Sequence, residues 1–279
     1  MNNKNILITG CSSGIGEYCA LELKKRGWRV FATARKNEDI ERLSQAGLET
    51  FYLDYTEPES IQKLVQDVSK ACDGKLYALF NNGAWGQPGA MEDISRELLT
   101  AQFESNVFGW HDLTRRCMPL MRANGAGRVI HNSSVLGLVA MKWRGAYNAS
   151  KFAIEAIADT MRLELRGMKP PIHVVLIEPG PIHSKFVETA LAAFDREIDT
   201  ENTAYAAEYQ RRKQALVKGG AAHFKLKPDA VLVKLLKALE AKNPAPRYFV
   251  TIPTHVMGLA RRILPPRVLD WLLNKASDQ

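Results

Sequence analysis

The feature that most constrains the fold of this chain is a glycine-rich turn near its start, Thr9-Gly10-Cys11-Ser12-Ser13-Gly14-Ile15-Gly16. The turn follows a short apolar segment, Asn5 to Thr9, and leads into a helical segment, Gly16 to Arg26. Glycines permit a close approach of the backbone to a phosphate, and a helix N-terminus supplies N–H donors and a positive dipole. The turn therefore predicts a phosphate-binding loop. The residues predicted to line it are Gly10, Ser12, Ser13, Gly14, Ile15 and Gly16.

Short apolar segments alternate with helical segments along most of the chain. We predict strands over residues 5–9, 29–34, 48–53, 76–80, 128–133, 173–177 and 247–252. Two long helices are predicted over residues 96–122 and 147–166. Strands that are apolar on both faces are typical of a parallel sheet covered by helices on both sides. The pattern predicts an α/β protein with a doubly wound parallel sheet, a Rossmann fold, as a single domain over residues 1–279.

Small and polar residues directly follow several of the predicted strands. Asn81-Asn82-Gly83-Ala84 follows the fourth strand, Ser134 follows the fifth, and Pro179-Gly180-Pro181 follows the sixth. Ligands of doubly wound sheets bind beyond the carboxyl ends of the strands. We therefore expect these segments and the glycine-rich turn to form one site.

Two regions depart from the alternating pattern. Residues 182–227 have helical periodicity and no strand, and they predict a helical flap over the carboxyl edge that binds substrate. Residues 254–279 form a C-terminal extension that mixes apolar residues with arginines. Because Pro265-Pro266 would break a long helix, we favour a tail that packs on the body or over the pocket. The alternative is a basic amphipathic segment in peripheral contact with a membrane.

Composition argues against several classes of function. The chain has 279 residues and a formal net charge of +8, but its Lys and Arg residues are scattered, so we expect no nucleic-acid partner. The four cysteines and six histidines show no metal-binding spacing, which predicts reduced thiols and no metal. The start of the chain lacks signal-peptide character, and no run of about eighteen apolar residues occurs. These features favour a cytoplasmic protein without a membrane span.

Tyr147 and Lys151 lie one helical turn apart, a spacing that suggests an acid/base pair. A free tyrosine titrates at about pH 10 and is a poor proton donor or acceptor at neutrality. A cation about 4 Å away, at an effective dielectric of about 20, would favour the phenolate by roughly 4 kcal/mol, or about three pKa units. The same spacing recurs between Tyr209 and Lys213, so it does not by itself select the chemical pair.

These motifs together resemble the short-chain dehydrogenase/reductase family over residues from about 5 to 185. The resemblance rests on the Gly-xxx-Gly-x-Gly turn, Asn81-Asn82-Gly83-Ala84, Asn106, Ser134, Tyr147, Lys151 and Pro179-Gly180. The glycine spacing differs from the shorter form of extended family members, which disfavours an epimerase. The stretch Ala32-Thr33-Ala34-Arg35, the flap and the C-terminal extension look most like the hydroxysteroid/retinol-dehydrogenase-like branch.

The resemblance also selects between the two tyrosines. Ser134 lies thirteen residues before Tyr147, which is the family's spacing, whereas Arg196 lies that far before Tyr209. It implies that Tyr147 exchanges a proton with the substrate oxygen, that Lys151 lowers the pKa of Tyr147 and binds the nicotinamide ribose, and that Ser134 binds the substrate oxygen. Asn106 would hold a water that links Lys151 to solvent; its alternative role is an interior helix kink.

The resemblance implies a nicotinamide dinucleotide as cofactor, and the end of the second strand favours NADP(H). NAD sites place an acid there, whereas NADP sites offer an arginine to the 2′-phosphate. Here Ala34 occupies the position of that acid, and Arg35 follows it. Ser13, however, stands where many NADP-binding relatives have a basic residue. Asp54 matches the family's adenine contact, with a helix cap as the alternative. The other residues implied for the cofactor are Asn82, Gly83, Ala84, Pro179, Gly180, Ile182 and Ser184.

The residues expected around the substrate are apolar and aromatic. They are Trp85, Gln87, Leu136, Trp143, His183 and Phe186. No carboxylate-binding arginine is evident among them, which points to a bulky neutral substrate. We therefore predict an oxidoreductase that interconverts an alcohol and its ketone or aldehyde on a steroid, retinoid, aromatic or long-chain compound. The alternative is a non-catalytic NADP(H) sensor. A homodimer through the two long helices is expected from the resemblance.

Overall fold

Seven parallel strands form one sheet in the computed structural model, which describes residues 4–217 and 225–277, with the backbone alone over 213–217. The strands are β1 (Asn5–Ile8), β2 (Arg29–Ala34), β3 (Glu49–Tyr52), β4 (Ala78–Asn81), β5 (Gly127–Asn132), β6 (Ile172–Glu178) and β7 (Arg247–Phe249). Their order across the sheet is β3-β2-β1-β4-β5-β6-β7, and every neighbouring pair is parallel. The strand order reverses between β1 and β4, which is the arrangement of a doubly wound fold. The predicted fold class is confirmed.

Helices cover both faces of this sheet. They are α1 (Gly14–Lys25), α2 (Asn37–Gln45), α3 (Pro58–Ala71), α4 (Arg96–Phe103), α5 (Gly109–Ala123), α6 (Gly145–Glu164), α7 (Phe186–Glu197), α8 (Ala206–Val217), α9 (Asp229–Glu240), α10 (Ile252–Ile263) and α11 (Pro266–Ser277). In β1, Ile6 and Ile8 pack with α1 and α9, whereas Leu7 packs with α3, α5 and α6 on the other side. Successive side chains of a strand point to opposite faces. A strand covered on both sides is therefore apolar throughout, as the sequence shows.

The long helix predicted over 96–122 is interrupted. Between α4 and α5 the chain makes a π-helical turn at Glu104–Phe108. Within that turn, the buried Asn106 side chain donates from Nδ2 to the Trp85 carbonyl at 2.8 Å and accepts from the Trp85 N–H at 3.3 Å. An amide that bonds to a distant backbone segment competes with regular helix geometry. The predicted kink role of Asn106 therefore agrees with the structure.

The region predicted as a flap contains α7 and α8, and a parallel bridge between Ile182 and Leu226 joins its ends. Residues 218–224 of this region lie outside the described part of the chain. Tyr209 of α8 is buried; its hydroxyl donates to Asp93 and accepts from the Ala90 N–H at 2.7 Å. This hydroxyl therefore anchors the region to the segment before α4. That the region binds substrate stays a prediction.

The C-terminal extension packs on the body with one face only. Ala260 of α10 and Leu269 of α11 are buried in a small apolar cluster with Val139. The opposite face of α10 is exposed and carries Ile252, Val256, Leu259 and Ile263. Of the helices that the structure describes, none combines the length and the apolar character needed to cross a bilayer. Peripheral membrane contact by the exposed face stays a prediction.

A buried ionic cluster ties α6, β6 and β7 together. The Arg247 guanidinium lies 3.0 Å from Glu155, 3.2 Å from Glu178 and 2.7 Å from Asp159. The carboxyls of Glu155 and Glu178 also lie close enough to interact electrostatically. Burial and the neighbouring Glu155 charge raise the pKa of Glu178 well above its usual range. The cluster therefore retains one proton at neutral pH.

We predict that Glu178→Gln makes the protein more stable at pH 8, by on the order of 2 kcal/mol. Unfolding lets Glu178 lose its proton above a pKa of about 4.5, so wild-type stability falls as pH rises from there. Glutamine has nearly the same shape as the protonated carboxyl and has no proton to lose. Denaturant unfolding at pH 5 and pH 8 measures the effect, with the exposed Glu164→Gln as the matched control. The prediction would be contradicted if the stability of the wild type did not fall, relative to that of Glu178→Gln, between pH 5 and pH 8.

Candidate active site

The carboxyl ends of the strands open into a cavity of about 1660 Å³. This volume exceeds that of an ordinary small-molecule pocket, about 300–1,000 Å³, and has room for a dinucleotide together with a second ligand. Most of the predicted site residues line it. They are Gly10, Ser12, Ser13, Ile15, Arg35, Asp54, Asn82, Gly83, Ala84, Trp85, Ser134, Leu136, Trp143, Tyr147, Lys151, Pro179, Gly180, Ile182, Ser184 and Phe186.

The glycine-rich turn is packed so closely that its glycines could not carry side chains. A Cβ at Gly10, where φ is +66°, would come within 2.4 Å of the Gly83 Cα. A Cβ at Gly16 would lie 2.2 Å from the Gly10 carbonyl oxygen. Gly14, at φ +61°, faces the Ser184 Cβ. Gly14 and Gly16 thus shape the turn without lining the cavity, and the turn fits the predicted phosphate cradle.

A chain of hydrogen bonds runs from this turn to Lys151. Asn82 Nδ2 donates to the Thr9 carbonyl at 2.9 Å, and its Oδ1 accepts from Asn132 Nδ2 at 2.9 Å. The Asn132 carbonyl in turn accepts from Lys151 Nζ at 2.9 Å. The Asn82 side chain is therefore committed to protein contacts, and the backbone of its loop faces the cavity. Sequence reasoning missed Asn132, because a lone asparagine at the end of a predicted strand carries no motif.

Tyr147 and Ser134 meet at the floor of the cavity. Tyr147 lies in the first turn of α6, and its hydroxyl is near enough to the Ser134 side chain for Ser134 to lower the pKa of Tyr147. Ser134 Oγ also accepts from the Leu136 N–H at 3.1 Å, which fixes the position of its side chain after β5. The Phe186 ring of α7 packs 5.2 Å from the Tyr147 ring. A hydroxyl pair beside an apolar wall is suited to bind one substrate oxygen.

The expected effect of Lys151 on the pKa of Tyr147 is not what the structure shows. Burial raises the pKa of Tyr147 to about 12, while the Ser134 side chain and the charge of Arg144 lower it in part. Lys151 Nζ lies 5.5 Å from the centre of the Tyr147 ring and binds the Asn132 carbonyl. Desolvation of the phenolate therefore outweighs the nearby cations.

Lys151 itself is buried, which lowers its pKa to about 7; the charge of Glu155, one turn further along α6, partly opposes this shift. Its ammonium lies 4.3 Å from the centre of the Trp110 ring, a cation–π contact. The predicted water site of Asn106 is not on the cavity wall, because the Asn106 amide is buried against Trp85 and Ser150.

Two predicted pocket residues lie elsewhere. His183 is exposed and does not line the cavity, because side chains alternate along the bridged segment and its neighbours Ile182 and Ser184 face inward. Gln87 is buried behind the wall, and its N–H donates to Gln102 at 2.8 Å. Within the described residues, no group of His, Cys, Asp and Glu side chains could hold a metal ion.

The predicted adenosine end of the cavity holds Arg35 beside Asp54. Arg35 Nη1 lies 3.8 Å from Asp54 Oδ2, and the Arg35 side chain is 67% exposed. The other carboxylate oxygen of Asp54 accepts from the Thr56 N–H at 2.9 Å, so Asp54 caps a turn as well as facing the cavity. Arg35 thus retains donors that are free to meet an anion.

Sequence reasoning also missed Arg144. It stands directly before α6, and its side chain lines the cavity near Tyr147. The only signal in the sequence was its position three residues before Tyr147.

The comparisons with known proteins agree with this geometry. The family model described as short chain dehydrogenase matches residues 4–193. The chain is 42% identical over 270 residues to the uncharacterized oxidoreductase YbbO of Escherichia coli (strain K12), covering 97% of this chain and 94% of the relative. It is 32% identical over 277 residues to the NADPH-dependent 3-dehydrocapnine reductase of Ornithobacterium rhinotracheale, covering 96% and 95%. The chain belongs to the short-chain dehydrogenase family.

A solved structure shows the same architecture over nearly the whole chain. The crystal structure of a short-chain dehydrogenase from Streptomyces avermitilis superimposes with a TM-score of 0.78 at 28% identity, covering 98% of this chain and 97% of that one. The protein is thus an oxidoreductase with a Rossmann-type fold and the NAD(P)-binding architecture of its family.

We predict that Lys151→Met stabilises the protein without cofactor by about 2–4 kcal/mol at pH 7, and by less at pH 10. The folded state holds Lys151 at a pKa of about 7, whereas the unfolded chain restores its usual 10.5. Between these two pKa values the unfolded state binds more protons than the folded state. The stability of the wild type is therefore lowered most at the lower end of this pH range. Denaturant unfolding at both pH values tests this, with the exposed Lys70→Met as control. An equal gain in stability at both pH values would contradict the attribution of the gain to the lowered pKa of Lys151.

Proposed function

We propose that the protein is an NADP(H)-dependent oxidoreductase that interconverts an alcohol and its ketone or aldehyde on a substrate with a bulky apolar body. The observation that carries this proposal is the convergence of Ser134, Tyr147 and Lys151 on one large cavity, beyond a turn shaped for a phosphate. Nothing in the comparisons supports the alternative of a non-catalytic NADP(H) sensor. A cytoplasmic location and a homodimer remain predictions.

Each residue of this constellation has a role that its contacts allow. Ser134 and Tyr147 present hydroxyls to the substrate oxygen, and Tyr147 donates or accepts the proton. Lys151 is fixed by the Asn132 carbonyl at the base of the site, where it is placed to bind a ribose hydroxyl. A bound nicotinamide would supply or accept the hydride. The protein contributes orientation, a proton and stabilisation of charge on the substrate oxygen.

Two observations support NADP(H) over NAD(H). Ala34 and Arg35 line the predicted adenosine end, where an acid would repel a 2′-phosphate and a guanidinium would bind it. The 3-dehydrocapnine reductase relative is described as NADPH-dependent. Two acids line this end of the cavity: Asp39 is paired with Arg42, and the hydrogen bonds of Asp54 to Thr56 direct part of its charge away from the cavity.

The substrate end supports a ligand with a large apolar body. Aromatic and aliphatic side chains form its wall. They include Trp85, Leu136, Trp143, Phe186 and Phe194. Such walls bind apolar ligands by removing their surface from water, so the proposed substrates are steroid, retinoid, aromatic or long-chain compounds.

Tyr147→Phe is expected to lower kcat by on the order of 100- to 10,000-fold with NADPH binding nearly intact, because only the proton donor is lost. Absorbance at 340 nm with a panel of aromatic, steroid and long-chain ketones measures turnover, and fluorescence of bound NADPH measures binding. Tyr209→Phe is the matched control from the second Tyr-xxx-Lys spacing and should keep most of the activity, since its hydroxyl anchors a loop. Retained activity in Tyr147→Phe would rule out the assignment.

Arg35→Ala is expected to raise the KM for NADPH by about 10- to 100-fold, the loss of charge-assisted hydrogen bonds to a phosphate. The KM for NADH should change by less than about threefold, because NADH lacks that phosphate. Steady-state kinetics with both cofactors give the comparison within one protein preparation. Equal changes for both cofactors would overturn the NADP(H) preference.

A further inference from the structure

Arg144 is a cation in the cavity that the proposed reaction does not use. It lies at the start of α6, close enough to Tyr147 for its charge to lower that residue's pKa. Its side chain is partly buried, and this burial lowers its own pKa. Across residues 4–217 and 225–277, no carboxylate forms an ion pair with it and no acceptor hydrogen-bonds its guanidinium.

This situation is unusual, because a partly buried guanidinium without an ion-pair partner is solvated less well than one on the open surface, which costs free energy. Nearby cations are partnered. Arg212 Nε lies 2.7 Å from Glu208, and its Nη1 donates to the Ser277 carbonyl at 3.1 Å. Lys151 binds the Asn132 carbonyl. A guanidinium presents a planar set of donors that matches carboxylate, phosphate or sulfonate groups.

The surrounding charge favours the same kind of ligand. Among the described residues, the substrate half of the cavity wall carries more cationic than acidic side chains. The cations are Lys142, Arg144, Lys185, Arg211, Arg212 and Lys225, and the acids are Asp195 and Glu208. A cleft with a positive excess between low-dielectric walls attracts anions and holds them more tightly than bulk water would allow.

We propose that Arg144 binds an anionic group of the substrate itself. The substrate is then an amphipathic carbonyl compound or alcohol with an apolar body and a carboxylate, phosphate or sulfonate a few bonds from the reacting carbon. The short separation follows from the position of Arg144 beside Tyr147, which touches the reacting oxygen in the proposed function on which this inference rests. The expectation of a neutral substrate is thereby replaced.

The competing role for Arg144 is to tune Tyr147 alone. In that case its loss would slow turnover of the anionic and the neutral substrates by about the same factor, because both would lose the same effect of Arg144 on Tyr147. A substrate-binding role instead lowers turnover selectively for anionic substrates. The ratio between matched anionic and neutral substrates therefore separates the two roles.

The test uses 4-oxodecanoate and 4-oxodecyl phosphate as anionic substrates and methyl 4-oxodecanoate as the neutral one. For the wild type, kcat/KM with NADPH is expected to be about tenfold higher for at least one anion than for the ester. Arg144→Gln should remove this preference, lowering the anion's kcat/KM by about 10- to 100-fold relative to the ester. Arg166→Gln, an exposed change just beyond α6, should leave the ratio within about twofold. The two anions distinguish carboxylate from phosphate recognition.

A ratio that is the same in the wild type and Arg144→Gln would overturn the inference. Failure of the proposed function looks different: none of the three compounds is turned over by the wild type. In that case the inference is decided by the binding of decanoate, decyl phosphate and decanol. Binding is measured by the fluorescence of cavity tryptophans such as Trp85 and Trp143. Anion binding that depends on Arg144 would support the inference without turnover, and its absence would overturn it.

Discussion

The site depends on one chain of buried hydrogen bonds that crosses three strand ends. Thr9 after β1, Asn82 after β4 and Asn132 in β5 are joined by amide side chains, and Lys151 of α6 closes the chain. Each link uses a donor or acceptor that would otherwise be buried without a partner, so every link fixes its neighbour. The glycine-rich turn and α6 are thereby held in a single arrangement, although Thr9 and Lys151 are 142 positions apart in the sequence.

Buried ionisable groups surround this chain, and they cost stability. Lys151 is held where its charge is poorly solvated, and Glu155 stands one turn away beside Glu178, whose carboxyl keeps its proton. Arg247 compensates this acid pair, and the cluster holds β6 in place immediately before Pro179. The arrangement is typical of functional sites, where strained or desolvated groups are retained because the fold around them is stable enough.

Sequence patterns predict local structure well here and non-local effects poorly. The doubly wound sheet follows from β1 and its neighbours, since strands covered on both sides must be apolar throughout. The convergence of Ser134 and Tyr147 follows from strand ends sharing one edge. The break at Asn106 depends on a contact with Trp85, 21 residues away, and the raised pKa of Tyr147 depends on burial. The spacing of residues in the sequence predicts neither this contact of Asn106 nor this burial of Tyr147.

The pKa of Tyr147 determines which step of the proposed reaction its resting protonation state suits. A phenol with a pKa of about 12 keeps its proton at pH 7, and it readily gives that proton to the more basic alkoxide formed when a carbonyl is reduced. Oxidation would first need the phenolate, which the raised pKa of Tyr147 disfavours at pH 7. Arg144 lowers this cost with its charge. An anionic substrate bound to Arg144 would offset that charge and raise the pKa of Tyr147 again, which would keep Tyr147 in the protonated form that a reductive step needs.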